Sequence, residues 1–159
     1  MINVLFVCLG NICRSPLAEG IFDKKLEERN LSQQISCDSA GTGAWHIGKQ
    51  PDPRSIEIAR KNEIILNHQG RQLSREDFTE FDYIIAMDRD NYRDIEELMD
   101  GSGFDDQNLI MMRQFDDLGK GENVPDPYFG GSDGFKLVFE MLDRSCDNLI
   151  DHIISKNNL

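Results

Sequence analysis

The unbroken apolar run Val4-Leu5-Phe6-Val7 leads directly into Cys8-Leu-Gly-Asn-Ile-Cys-Arg14-Ser15-Pro16, and this junction constrains the fold more than any other stretch of the chain. The run has no polar alternation, so it reads as a strand, Ile2 to Cys8, buried on both faces. Ser15 and Pro16 open a helix, where the missing N–H of proline removes only a donor that has no partner anyway. A cysteine thus ends a strand, five residues bridge, and an arginine stands at the mouth of a helix. That order suits a turn that holds an anion against a sulfur nucleophile.

Strand and helix signals alternate along the rest of the chain. Pro16 to Arg29 is predicted helical, with Ala18, Phe22 and Leu26 four apart and Ile21 beside them. Ile35 to Ser39 reads as a second strand, stopped by Ala40-Gly41-Thr42-Gly43. Pro53 to Asn62 reads as a helix, and Ser74-Arg-Glu-Asp77 begins a short one, with Asp77 where a capping box prefers Glu. Phe81 to Met87 is a third strand, Arg89 to Met99 a helix, and Asn108 to Met112 a fourth strand. A Gly- and Pro-rich loop, Asp116 to Ser132, precedes the strongest helix, Phe135 to Ile154. That helix carries Phe135, Val138, Phe139, Leu142, Cys146, Leu149, Ile150 and Ile153 on one face. The alternation predicts an α/β fold, a parallel sheet with helices on both faces. Ligands of such sheets bind beyond the carboxyl ends of the strands, which is where Cys8 lies.

With 159 residues, 39% hydrophobic and 29% charged, the chain is expected to be one globular domain spanning residues 1–159. A net charge of −12 argues against nucleic-acid binding, which wants a basic face. It also means that an anion site must be built locally, from backbone N–H groups and a few cations. The first residues show no signal-peptide pattern and no apolar run reaches membrane-spanning length, so a cytoplasmic protein is expected. Cys8, Cys13, Cys37 and Cys146 are too few and scattered for a disulfide framework. No Cys and His set has zinc-like spacing, since His46, His68 and His152 stand alone, and no metal or cofactor is expected.

The loop chemistry follows from its residues. A free cysteine near neutral pH is mostly thiol, so Cys8 needs local positive potential to act as a thiolate. The helix start offers partial positive charge and unpaired N–H groups. Arg14 offers a full charge and a planar fork for two phosphate oxygens. The Ser15 hydroxyl is placed to donate to the Cys8 sulfur. Gly10 is expected to supply an unusual backbone angle, and Asn11 tolerates the left-handed region, so the loop can curl into a nest of inward N–H groups. A general acid must come from elsewhere. On spacing alone, the late loop offers Asp116, Asp117, Asp126 and Asp133 without choosing among them.

The residues carry a resemblance. Cys8 to Ser15 fits the Cys-x5-Arg-Ser signature of protein tyrosine phosphatases, and Val4 to Pro16 is similar almost letter for letter to the N-terminal block of the low-molecular-weight protein tyrosine phosphatases. Asp126-Pro127-Tyr128 matches that family's late Asp-Pro-Tyr segment. Intermediate landmarks also match: Asp38-Ser39-Ala40-Gly41, Trp45, Pro51-Asp52-Pro53-Arg54, His68, Arg71-Gln72, Phe81-Asp82-Tyr83-Ile84 and Met87-Asp88. The resemblance spans essentially the whole chain, and the expected sheet is four-stranded and flavodoxin-like, in the order 2-1-3-4.

The resemblance implies roles. Cys8 would attack phosphorus and form a phosphocysteine. The backbone of Leu9, Gly10, Asn11, Ile12, Cys13, Arg14 and Ser15, with the Arg14 side chain, would hold the phosphate. Asp126 would protonate the leaving oxygen and then activate water. Asn11, Ser39 and His68 would support the loop together with Ser15, and Ile12, Trp45 and Tyr128 would wall the cleft. Trp45 lies among loop residues and is expected to be exposed. Cys13 would be a redox partner for Cys8. The expected substrate is a phosphotyrosine-containing protein, with a tyrosine kinase as a candidate, inorganic phosphate is the expected product, and the enzyme is expected to be monomeric and not inserted in a membrane. Three rival readings share features with this chain. An arsenate reductase of this fold needs relay cysteines, and none lies between Cys37 and Cys146. A protein-arginine phosphatase carries Thr where this chain has Ile12. A non-catalytic phosphate-binding module would have no use for both Cys8 and Asp126.

Overall fold

The computed structural model describes residues 1–159, the side chain of Ser132 excepted. Strand β1 spans Ile2–Cys8 and passes through the Cys8 loop into helix α1, Arg14–Glu28. Strand β2, Ile35–Gly41, helix α2, Pro53–Lys61, and a single turn, α3, Asp77–Glu80, follow. Then come β3, Tyr83–Ala86, α4, Arg89–Met99, β4, Leu109–Met111, and the long α5, Ser132–Asn157, with 3-10 turns flanking β4 at Asp106–Asn108 and Met112–Phe115. The four strands are parallel in the order β2-β1-β3-β4.

Successive residues of β1 enter opposite layers, as strand geometry requires. Val4, Phe6 and Cys8 join the layer of α1 and α5, with Leu17, Phe22, Leu142 and Leu149. Leu5 and Val7 join the layer toward α4, with Phe78, Ile84 and Ile95. Each fully buried aliphatic or phenyl side chain contributes about 1.5–3 kcal/mol. The chain leaves β1 toward β2 on one side and returns to β3 on the other, so Cys8 sits at the switch point of the sheet. Among the described residues, no helix is long and apolar enough to cross a membrane.

Some boundaries differ from the sequence reading. Strand β2 continues through Ala40 to Gly41, because Gly41 pairs with Cys8 and receives a bridge from Gln72. A side chain at Gly41 would meet Leu9 O at 2.7 Å, so glycine here permits close packing rather than ending the strand. Strand β3 is shorter than Phe81 to Met87, and α5 begins three residues early, at Ser132. The Asp77 carboxylate does reach back to accept the Ser74 N–H at 2.8 Å, the contact that the acid of a capping box makes.

Candidate active site

Four carbonyls of the Cys8 loop are tied to the surrounding framework. Cys8 O accepts from Thr42 N and Leu9 O from Gly43 N, both at 2.9 Å, while Ile12 O accepts from Asp52 N at 2.8 Å. Cys13 O accepts from the Ser55 hydroxyl at 3.3 Å. The chain has no cis peptide bonds, and in a trans unit the next N–H points away from the carbonyl. The N–H groups of Leu9, Gly10, Cys13 and Arg14 are therefore turned away from the framework, forming an anion nest at the start of α1. Asn11 takes the left-handed conformation, φ 56°, and aims its N–H at Cys8 Sγ, 3.3 Å away. Gly10 does not supply the unusual angle expected of it. Its value is space, for a side chain there would meet the His46 ring at 3.0 Å.

The sulfur is held by a directed network. Asn11 Nδ2 donates to Ser15 Oγ at 2.8 Å and to Ser39 Oγ at 3.0 Å. Ser15 Oγ, which accepts from Asn11, lies 3.0 Å from Cys8 Sγ and 3.4 Å from Ala40 O, so its proton can be donated to the sulfur. Ser39 in turn donates to Glu19 Oε2 at 2.6 Å, and His68 Nε2 lies 2.7 Å from Asn11 Oδ1. Burial pushes the Glu19 carboxyl up to about 7 despite the Ser39 hydroxyl, and burial pulls His68 below its usual value. The expected supports Asn11, Ser15, Ser39 and His68 thus form one connected group.

Arg14 is buried at the start of α1, which begins two residues before Pro16. Its Nη1 donates to Asp88 Oδ2 at 2.6 Å and to Val124 O at 3.0 Å, while Nη2 faces Asp126 Oδ2 at 3.6 Å. Burial opposes the charge, but Cys8, Asp88 and Asp126 outweigh it and raise the Arg14 pKa further. Asp126 reaches the site because Val124 N donates to Met87 O at 2.8 Å, extending the end of β3 and delivering the next residues over the loop. Its Oδ1 accepts the Tyr128 N–H at 3.0 Å.

A cleft of about 140 Å³ opens above the sulfur, lined by Ile12, Arg14, Asp126, Trp45 and Tyr128 among others. Trp45 is 69% exposed, as its loop setting predicted. Cys13 also lines the cleft, but burial first, and then the Asp52 carboxylate, push its thiol up to about 12.

Several participants were not assigned roles from sequence. Asp88 caps α4 through Oδ1, which accepts Asn91 N at 2.7 Å, while Oδ2 clamps Arg14. An aspartate at a helix start reads as a cap, and nothing local reveals a partner 74 residues away. Arg54 pairs with Asp52 and donates to Tyr128 O at 3.0 Å and Gly130 O at 3.2 Å, strapping the Asp126 loop to α2. Its guanidinium also stacks over the Tyr128 and Phe135 rings. His46 and Phe129 complete the cleft wall.

Comparison with known proteins agrees with this architecture. A family model described as low molecular weight phosphotyrosine protein phosphatase matches residues 3–159. A protein of that name from Schizosaccharomyces pombe is 48% identical over 154 residues, covering 96% of this chain and 97% of its own. The crystal structure of a protein tyrosine phosphatase from Entamoeba histolytica, with Hepes in its active site, superposes with a TM-score of 0.91 at 38% identity over the full length of both chains. A Drosophila arginine phosphatase superposes with a TM-score of 0.86 at 35% identity, covering 94% of this chain and 96% of its own.

Proposed function

The chain belongs to the low molecular weight phosphotyrosine protein phosphatase family, and from that premise we propose that it hydrolyses phosphotyrosine and small aryl phosphates through a phosphocysteine on Cys8. The observation that carries the reading is the convergence, in one cleft, of the Cys8 sulfur held by Ser15 at 3.0 Å and the Arg14–Asp126 pair at 3.6 Å.

The loop amides and Arg14 hold the phosphate oxygens, as positioning and charge neutralisation require for phosphoryl transfer. The Cys8 thiolate attacks phosphorus as the aryl oxygen leaves, and Asp126 delivers its proton to that oxygen. Asp126, now a carboxylate, takes a proton from water as the water attacks the phosphocysteine. Inorganic phosphate departs, and the thiolate and the protonated acid are restored. Asp88 keeps Arg14 fixed so that its free edge faces the cleft.

The apolar walls favour a phenyl ring over a guanidinium. Ile12 lies beside the aromatic groups of Trp45, Tyr128 and Phe129, and a flat ring can stack on these. The structural likeness to an arginine phosphatase makes phosphoarginine the competing substrate. Turnover of para-nitrophenyl phosphate is expected in the wild type and lost in Cys8→Ser. A phosphotyrosine peptide is expected to outrun a phosphoarginine peptide, and the opposite ranking would overturn the substrate assignment. Asp126→Asn is expected to lose roughly 10²–10⁴ in turnover of substrates with poor leaving groups.

We further propose residues 1–159 as a single catalytic domain acting as a monomer on a phosphotyrosine-containing protein, with a tyrosine kinase as a candidate. A free-thiol nucleophile suits a reducing compartment such as the cytoplasm. Cys13 is proposed to cap an oxidised Cys8, its thiol attacking the Cys8 sulfenic acid to form a disulfide and release water. With the Cys13 thiol at about 12, this capping is slow, and Cys13→Ser should lower thiol-dependent recovery after peroxide.

A further inference from the structure

The sheet ends at β4, whose outer edge has no strand partner in the order β2-β1-β3-β4. Such an edge presents N–H and C=O groups that can pair with an added strand. A groove of about 520 Å³ runs along it. One wall is β4 itself, with Leu109, Ile110 and Met111. The other is the face of α4 that carries Arg89, Tyr92 and Arg93 at i, i+3 and i+4. The chain holds 29 acids against 17 lysines and arginines, and its other hollows show it. The catalytic cleft includes Asp126, the groove beside Thr42 includes Asp94 and Glu97, and the cavity beside His68 includes Glu19 and Asp23. Among the described residues, no acid lines the β4 groove. Arg89 is exposed and donates through its backbone N–H to Asn123 Oδ1 at 3.0 Å, while its guanidinium has no carboxylate partner among the described residues. Arg93 is 69% exposed and pairs with Asp90, itself an exposed side chain. Such a surface pair contributes little and is readily exchanged for a ligand carboxylate.

We propose that this groove docks an extended segment of the phosphoprotein substrate, rich in acidic and aliphatic residues, which pairs with β4 as a fifth strand. The inference rests on the phosphatase reading above and adds where the substrate is held away from its phosphotyrosine. The fold sets the direction. Helix α4 runs back against the strands, so Arg89 and Met111 lie at the carboxyl end of the sheet, the end that carries Cys8. Glu96 and Asp106 lie toward the other end, where they join burial in raising the Tyr92 hydroxyl. The carboxylates of the segment therefore belong at the Arg89 end, and its aliphatic side chains against Leu109 and Tyr92. Arg89 follows Asp88, the residue that clamps Arg14, so the groove starts beside the catalytic framework. An acidic protein is repelled at long range by a chain of net charge −12. The groove gives it a place where attraction, apolar contact and backbone pairing coincide.

The test uses the full chain and a fluorescein-labelled peptide of alternating glutamates and valines. Fluorescence anisotropy should show saturable binding with a Kd below about 1 mM, and a matching peptide of lysines and valines should not bind. Arg89→Glu and Arg93→Glu, both at exposed positions, should each weaken binding at least about tenfold. On the unmutated chain, ¹⁵N spectra should place the shifts caused by the probe on the backbone amides of Ile110 and Met111, a readout that does not depend on how the variants fold. A phosphotyrosine peptide joined to the probe sequence by a flexible linker of about fifteen residues should show a KM at least about fivefold lower than the same peptide with the linker alone. No binding below about 1 mM, shifts confined to the Cys8 loop, or an equal KM for the two peptides would each overturn the proposal. Para-nitrophenyl phosphate is too small to span the two sites, so its turnover by the wild type judges the phosphatase reading separately.

Discussion

At the residue scale, the four cysteines differ in their surroundings. Cys8 meets the Ser15 hydroxyl and the Asn11 N–H, whereas burial holds Cys13, Cys37 and Cys146 as thiols. Iodoacetate applied to the native protein near pH 7 is therefore expected to add one carboxymethyl group, on Cys8, and peptide mass spectrometry checks it. Asn11 concentrates a different risk. It is buried, takes φ 56°, and joins Ser15, Ser39, His68 and Arg71. Asn11→Ala strands buried donors and keeps the backbone strain, so it should cost roughly 3–5 kcal/mol in denaturant unfolding and depress turnover as well. The types of these residues were legible in the sequence. Which face of Asn11 donates was not, because Arg71, sixty positions away, decides it.

At the element scale, the late loop is ordered by a buried carboxylate. Asp116 is fully buried and accepts from Arg113 Nε at 2.8 Å and from Arg144 of α5 at 2.6 Å. Its burial alone would raise its pKa, but Arg144, the Leu118 N–H and Arg113 outweigh that and hold it below the usual carboxylate range. A depressed carboxyl stabilises the fold above its unfolded value and loses that contribution as pH falls through its folded value. Asp116→Ala should thus destabilise the protein by about 3–5 kcal/mol near neutral pH, with the gap to wild type narrowing below roughly pH 4. Urea unfolding of both proteins from pH 7 to pH 3 measures this. From sequence, Asp116 was one of four acids in a polar loop. What separates it from Asp126 is that α5 packs Arg144 against one and the end of β3 carries the other toward Arg14.

At the scale of the whole molecule, a net charge of −12 surrounds a site made for a dianion. Long-range repulsion opposes substrate approach, and the local field of loop amides and Arg14 acts only at close range. Raising NaCl from 10 to 150 mM should therefore increase kcat/KM for a phosphotyrosine peptide, by a factor of roughly two to five, as the outer charge is screened. A steady fall across that range would show that the cleft field dominates approach instead. The sequence by itself determined the strand-loop-helix unit around Cys8 and the parallel α/β class. These rest on local signals: an apolar run, a proline at a helix start, and apolar residues at helical spacing. Only the tertiary structure decided that Asp88 clamps Arg14 and that Arg54 straps the acid loop. Each of these joins residues far apart in the chain, and their separation is set by how the strands order in the sheet.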